Sequence, residues 1–96
     1  MIYELAFDPR ALKEWQKLGA TVRGQFKKKL KSVLLHLRNE ADRLRTFPDC
    51  YKIKLKASGF RLVYQVQEAQ VTVLVIAIGK REKSAVYQDA DKRLED

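Results

Sequence analysis

The feature that most constrains the fold is a series of three apolar-rich segments in the second half of the chain, separated by short connections. Each connection is three residues long, a length typical of β-hairpin loops. The third segment is apolar at nearly every position, as expected of a strand at the centre of a sheet. The pattern therefore predicts a meander of three strands: Tyr51–Lys56, Phe60–Gln67 and Val71–Ile78.

The first half of the chain predicts a strand followed by two helices. Ile2–Phe7 alternates apolar and other residues, as a short strand does. Asp8-Pro9 is typical of a helix start, and Gly19 is expected to end that helix. Thr21 is expected to cap a longer second helix, in which the lysines at 27–31 form a solvated face. Because the link between the helices is so short, we expect an antiparallel helix hairpin.

A last helix is predicted after Ser84, with apolar positions at Val86, Tyr87, Ala90 and Leu94. The expected fold class is α+β, as one domain over residues 1–96. It consists of a four-stranded antiparallel sheet, an N-terminal helix hairpin and a short C-terminal helix, with the helices packed on one face of the sheet. Apolar residues make up 46% of the chain, enough for one modest core, to which Trp15 is assigned.

Charge and composition indicate which kinds of molecule this protein could bind. The chain carries 20 Lys and Arg against 12 Asp and Glu, a formal charge of +8 that favours polyanionic partners such as nucleic acid. No apolar run approaches the roughly 20 residues of a membrane-spanning helix, so no membrane association is expected. Cys50 is the only cysteine, which excludes an internal disulfide and suits the cytoplasm, and the N-terminus has no export signal. No motif predicts a metal ion or a cofactor.

The first strand of the predicted meander has a purely cationic face. Lys52, Lys54 and Lys56 alternate with apolar residues, and Arg61 lies on the strand expected to pair with them. A solvated outer face is the ordinary explanation of such lysines. No acidic residue interrupts this stretch, however, and cations on neighbouring strands repel each other unless an anion lies between them. The strand therefore predicts a phosphate-binding surface.

The stretch GKREKSAVY, which follows the third strand, adds further cations and an aromatic ring at one edge of the sheet. Arginine offers a planar fork for phosphate oxygens, and tyrosine can stack on a base, although a helical tyrosine is more often a packing residue. The residues of this stretch that could contact a nucleic acid are Lys80, Arg81, Lys83 and Tyr87. Together with the cationic strand, they favour single-stranded RNA over duplex DNA as the partner. His36, on the second helix, is expected to be structural or solvated.

Four motifs, DPRALKEWQKLG, PDCYKIKL, GFRLVYQV and IGKREKSAVY, resemble in order and spacing the RelE family of bacterial type II toxins. The resemblance runs from Met1 to about Leu94. It implies the fold described above and a ribosome-dependent endoribonuclease that cleaves mRNA in the ribosomal A site and inhibits translation. Lys83 stands where the family has arginine, and His36 matches no family site.

The resemblance also implies which residues form the site. The implied active-site residues are Lys52, Lys54, Arg61, Arg81 and Tyr87, and Arg45 matches a basic residue that positions the RNA. The ribose 2′-OH of the substrate would attack the adjacent phosphorus, with Lys54 or Lys52 as the base, because neighbouring cations favour the neutral form of a lysine. Lys56, Lys80 and Lys83 are expected to contribute to RNA binding.

By the same resemblance, the partners are the 70S ribosome, mRNA and a RelB-like antitoxin, with operator DNA contacted only through that antitoxin. Two other functions remain open from the sequence. A ParE-like toxin shares the fold but poisons DNA gyrase, and it would not need the five implied active-site residues together. Composition alone would favour the second alternative, a non-catalytic RNA-binding module.

Overall fold

A computed structural model describes residues 3–38, 40–44, 47–80 and 85–95 of the chain. A short strand and two helices come first, three strands follow, and a helix ends the described chain. Two single 3₁₀ turns, at Glu40–Asp42 and Glu68–Gln70, lie in the connections. The elements are β1 (Glu4–Phe7), α1 (Pro9–Gln16), α2 (Ala20–Leu35), β2 (Cys50–Lys54), β3 (Phe60–Gln67), β4 (Thr72–Lys80) and α3 (Ala85–Glu95).

The four strands form one mixed sheet in the order β1-β4-β3-β2. The meander β2-β3-β4 is antiparallel, as predicted, and β4 has a neighbour on each side. The expectation of a purely antiparallel sheet is wrong, because β1 pairs with β4 in parallel, with Glu4 opposite Thr72. Strands β1 and β4 are joined by a long path through α1, α2, β2 and β3, and so long a path permits either strand direction.

The helices cover both faces of the sheet, so the prediction that they pack on one face is wrong. Residues at alternate positions of β3, such as Leu62 and Tyr64, pack in one core cluster with Phe26 and Leu30 of α2. Val63, which points the other way, belongs to a second cluster with Val86 of α3. Side chains of a strand alternate between faces, so α2 and α3 lie on opposite sides.

A β-bulge interrupts the pairing of β3 with β4. Val63 pairs with Ala77, but its neighbour Tyr64 pairs with Val75, which leaves Ile76 as an extra residue in β4. Ile76 and Ala77 are both buried in the cluster beneath α3. The bulge therefore places two consecutive side chains of β4 under the C-terminal helix.

The helix and strand boundaries confirm some local predictions and correct others. Asp8 is the N-cap of α1, and its carboxylate accepts a hydrogen bond from the backbone N–H of Arg10 at 2.9 Å. Thr21 does not cap α2, which begins one residue earlier, after Gly19, and has no side-chain cap. Strand β4 continues through Gly79 to Lys80 rather than ending at the glycine. The predicted cap Ser84 lies outside the described residues.

Candidate active site

The cationic face of β2 has the alternation that the sequence predicts. Tyr51, Ile53 and Leu55 are buried in the core beneath α1 and α2. Lys54 and Lys56, at the intervening positions, are exposed, and Lys52 is half-buried. β2 thus turns its apolar side chains into the core and its lysines outward.

The pairing of β2 with β3 brings Arg61 next to the lysines. Lys54 and Arg61 are directly opposite each other in the antiparallel register, so their side chains leave the same face of the sheet. A shallow groove of about 270 Å³ is lined by Lys54, Lys56 and Arg61, with Gly59 at the turn between the strands. The charged residues that line this groove are all positive, so its chemistry suits an anion such as a phosphate.

Lys54, Lys56 and Arg61 form a cationic cluster, and Tyr87 on α3 contacts this cluster through Arg61. Arg61 donates a hydrogen bond from Nη1 to the Tyr87 hydroxyl, 2.8 Å away, and its guanidinium lies 5.9 Å from the centre of the Tyr87 ring. The two residues are 26 positions apart in the sequence. Both are half-buried, so Tyr87 restricts the guanidinium while leaving part of it accessible.

The structure separates Lys80 from this cluster. Lys80 pairs with Phe60 in the sheet, and its Nζ lies 5.4 Å from the centre of the Phe60 ring. Phe60 packs against the core beneath α1 and α2, whereas Arg61 leaves the opposite face. Lys80 therefore lies on the other side of the sheet from Tyr87. Three other predicted site residues, Arg45, Arg81 and Lys83, lie outside the described residues.

His36 lies close to the site, although sequence reasoning set it apart. A cleft of about 400 Å³ between α2 and the edge of β2 is lined by Ser32, His36 and Lys52. The two basic side chains are sixteen positions apart in the sequence, and only the packing of α2 along β2 brings them to one cleft. No local motif signals this juxtaposition.

Cys50 and the buried tyrosines are unsuited to nucleophilic chemistry. Burial, with a further contribution from the charge of Asp49, raises the pKa of the Cys50 thiol to about 12. Burial is also the main cause that raises the pKa of the Tyr64 hydroxyl. Neither group supplies an anion at neutral pH. Within the described ranges, no group of three or more His, Cys, Asp or Glu is arranged to hold a metal ion.

The helices that the structure describes are too short or too polar to cross a membrane. Lengths run from 8 residues in α1 to 16 in α2.

Sequence comparison relates the chain to bacterial toxins over nearly its full length. The family model for the ParE toxin of the type II toxin–antitoxin system parDE matches residues 5–85. The mRNA interferase toxin RelE of Escherichia coli K12 is 63% identical over 94 residues, which cover 98% of this chain and 99% of that protein. A putative RelE-like toxin protein of Escherichia coli is 51% identical over the same coverage.

Solved structures give the same relationship. A doubly substituted E. coli toxin RelE in the free state superimposes with a TM-score of 0.91 at 62% identity, covering 98% of this chain and 99% of that one. The toxin chain of the intact E. coli RelBE toxin–antitoxin complex has a TM-score of 0.81 at 63% identity, covering 84% and 99%. The chain therefore belongs to the RelE/ParE toxins of type II toxin–antitoxin systems and is most similar, among these relatives, to RelE.

Proposed function

We propose that this chain is an mRNA interferase: an endoribonuclease toxin that cleaves mRNA in the A site of the translating ribosome. The observation that carries the proposal is a groove lined by Lys54 and Arg61, in which Arg61 also donates a 2.8 Å hydrogen bond to Tyr87. The 63% identical E. coli relative is itself named an mRNA interferase toxin. Cytoplasm is the compartment in which such a toxin meets ribosomes.

In this proposal, the substrate supplies the nucleophile. The ribose 2′-oxygen attacks the adjacent phosphorus, a bond from O2′ to phosphorus forms, and the bond from phosphorus to O5′ breaks. The products are a 2′,3′-cyclic phosphate and a 5′-hydroxyl. Lys54, with Lys52 as the alternative, takes the proton of the 2′-OH, and the leaving O5′ gains a proton with the assistance of Arg81.

Arg61 stabilises the negative charge that accumulates on the phosphoryl oxygens in the transition state. A guanidinium can donate two parallel hydrogen bonds to such oxygens, and the Tyr87 contact fixes its orientation before the substrate arrives. The Tyr87 ring also orients the nucleotide by stacking. Lys56, Lys80, Lys83 and Arg45 complete the proposed RNA-binding set, with Lys80 acting from the opposite face of the sheet.

The chain is also proposed to bind a RelB-like antitoxin. Two solved relatives of the toxin are complexes with RelB or a RelB peptide. A net charge of +8 speeds the capture of an acidic segment by long-range attraction. Contact with operator DNA is assigned to the antitoxin alone.

Substitution of two site residues tests the proposal. Purified wild type, Arg61→Ala and Tyr87→Phe are incubated with programmed ribosomes, and the cuts in a defined mRNA are mapped by primer extension. We expect Arg61→Ala to slow cleavage by about 10²–10³-fold, because it removes a charge that stabilises the transition state. Tyr87→Phe, which removes only the hydrogen-bond acceptor, is expected to slow it roughly tenfold. Arg23→Ala, on a helix at the opposite face, is the matched control and should cleave normally.

Other outcomes separate the alternative functions. Cuts outside the A-site codon, or equal rates for Arg61→Ala and wild type, contradict the proposed mechanism. No cuts by folded wild type, together with inhibition of gyrase, would assign the chain to the ParE-like toxins, whose family model it matches. Ribosome binding without any cleavage would leave a non-catalytic RNA-binding module.

A further inference from the structure

Within the part of the chain that the structure describes, half of one edge of β4 has no neighbouring strand. Parallel pairing with β1 ends at Val75, and the backbone N–H of Asp8 donates to the Val75 carbonyl at 2.8 Å where the chain turns into α1. β4 continues for five more residues, to Lys80. Residues Ile76 and Ile78 of this segment are buried, so the backbone groups on that edge need partners other than bulk water.

Two side chains from different helices supply these partners. Glu14 of α1 accepts, at Oε1, a hydrogen bond from the backbone N–H of Ile78 at 3.2 Å. Arg93 of α3 donates from Nη1 to the carbonyl of Ile76 at 2.8 Å and to Oε1 of Glu14 at 2.7 Å. The carboxylate thus takes the place of a strand carbonyl, and the guanidinium takes the place of a strand N–H.

This Glu14–Arg93 pair is shielded from solvent. The side chain of Arg93 is 12% exposed and that of Glu14 is 27% exposed. Exposed ion pairs contribute little to stability, but a shielded pair with further hydrogen bonds leaves an unpaired charge when one partner is removed. The pair therefore makes the position of α3 depend on a residue of α1 that lies 79 positions away in the sequence.

The same helix carries Tyr87. α3 packs on the sheet through Val86 and Ala90, which are 1% and 0% exposed, and the partly buried Tyr87 and Leu94 pack against the same cluster. Polar contacts at the two ends of the helix, from Arg61 to Tyr87 and from Arg93 to Glu14, add directional restraints to this apolar contact.

We propose that Glu14 and Arg93 are positioning residues of the RNA-cleaving site: by bridging the open edge of β4, they dock α3 so that the Tyr87 hydroxyl is held against Arg61. Neither residue touches the substrate in this arrangement. The inference rests on the proposed function for its kinetic consequence, but the geometric consequence, the placement of Tyr87, is independent of any activity.

The kinetic test uses Arg93→Met, which keeps the length of the side chain and removes its donors, with Lys92→Met as the matched control on the exposed side of the same helix. We expect Arg93→Met to lower the cleavage rate at saturating ribosome concentration by roughly ten- to a hundredfold, because small displacements of catalytic groups are costly. The apparent affinity for programmed ribosomes should stay within about twofold, since Arg93 is nearly buried. Lys92→Met should leave the rate unchanged.

A double-mutant cycle separates positioning from a general loss of structure. If Arg93 acts through Tyr87, then Arg93→Met in a Tyr87→Ala background should slow cleavage by less than about twofold further. Full additivity of the two losses would overturn the proposal, and so would an unchanged rate in Arg93→Met. Glu14→Gln keeps an acceptor for the backbone N–H of Ile78, so it is expected to reduce the cleavage rate less than Arg93→Met does. If Arg93→Met fails to fold, Glu14→Gln takes its place in the cycle.

A spectroscopic readout keeps the two proposals distinguishable. The ¹³C signals of the Tyr87 ring, assigned with Tyr87→Phe among the four tyrosines, should shift or broaden in Arg93→Met and not in Lys92→Met. Unchanged Tyr87 signals in a folded Arg93→Met variant would contradict the inference even if the wild type cleaves mRNA. Conversely, a wild type without cleavage refutes the proposed function, and the Tyr87 signals then decide the inference alone.

Discussion

At the scale of single residues, Arg61 connects the parts of the site. Arg61 lies opposite Lys54 in the β2–β3 pair, and it donates a hydrogen bond to the hydroxyl of Tyr87 on α3. A guanidinium that is already oriented in the free protein loses less conformational freedom when it binds a phosphate. Replacing Arg61 by lysine would retain the charge but lose the fork geometry, so charge alone does not explain the choice of residue.

The ionisation of Asp8 links the stability of the fold to pH. The hydrogen bond from the Arg10 side chain is the largest influence on the pKa of Asp8, which lies below its ordinary value of 3.8, although partial burial opposes the shift. Asp8 also caps α1, the helix that carries Glu14. A carboxylate with a lowered pKa stabilises the folded state above about pH 4, and that stabilisation is lost as the pH falls through its folded-state pKa.

We therefore expect Asp8→Ala to lower the free energy of unfolding by about 1 kcal/mol at pH 7. The difference from wild type should shrink as the pH falls below about 4, because the protonated wild-type carboxyl makes weaker bonds. Urea unfolding at several pH values measures this. Asp8→Asn, which keeps a hydrogen-bond acceptor without the charge, is the control, and its free energy of unfolding should fall less than that of Asp8→Ala. A deficit in Asp8→Ala that stays constant down to pH 2 would contradict the assignment.

The sequence predicts the local chemistry of a residue better than it predicts which residues contact it in the folded protein. The cationic face of β2 and the cap at Asp8 follow from local spacing, and both are present. The cleft that joins His36 to Lys52 and the bond between Glu14 and Arg93 depend on tertiary packing. Periodicity in the sequence carries no information on such pairs.

At the scale of elements, the hairpin between β2 and β3 shapes the groove lined by Lys54, Lys56 and Arg61. Its turn contains Gly59, with φ +76°, and the Gly59 N–H donates to the Leu55 carbonyl at 2.9 Å. That backbone conformation is unfavourable for residues with a side chain. Lys54, Lys56 and Arg61 converge on the groove because the turn is tight.

Two glycine substitutions test this requirement as a pair. Neither a Cβ at Gly59 nor one at Gly24 would meet another atom within 4 Å, so backbone conformation alone should decide the outcome. Gly59→Ala is expected to destabilise the protein by about 1 kcal/mol, because of its positive φ. Gly24→Ala, inside α2, is expected to stabilise it by about 0.5–1 kcal/mol. Chemical denaturation of both variants measures the difference, and a shift of the same sign in both would contradict the explanation.

The elements themselves are largely predictable, but their assembly is not. The three strands of the meander lie within two residues of their expected boundaries, because alternation and short turns are local signals. The parallel direction of β1 depends on the long connection between β1 and β4. The placement of α2 and α3 on opposite faces depends on which face of the sheet the apolar side of each helix packs against. Local patterns do not specify either choice.

At the scale of the whole molecule, the protein presents a cationic surface that is poor in acid–base groups. Its formal charge of +8 attracts RNA, but the groove is shallow and holds no histidine or carboxylate among its lining residues. Precise orientation of reacting atoms can supply roughly 7–11 kcal/mol, whereas general base catalysis supplies only about 10²–10⁴-fold. In the proposed function, the ribosome holds the mRNA in line for attack and so supplies the orientation that this site lacks.

The most direct test of this account compares the cleavage rate of one defined mRNA, free and bound to programmed ribosomes, at the same concentration of protein. Primer extension over time gives both rates and the positions of the cuts. We predict cleavage on the ribosome that is at least about 10³-fold faster than on free RNA and confined to the A-site codon. Rates within tenfold of each other would contradict the account, because the protein would then orient its substrate without the ribosome.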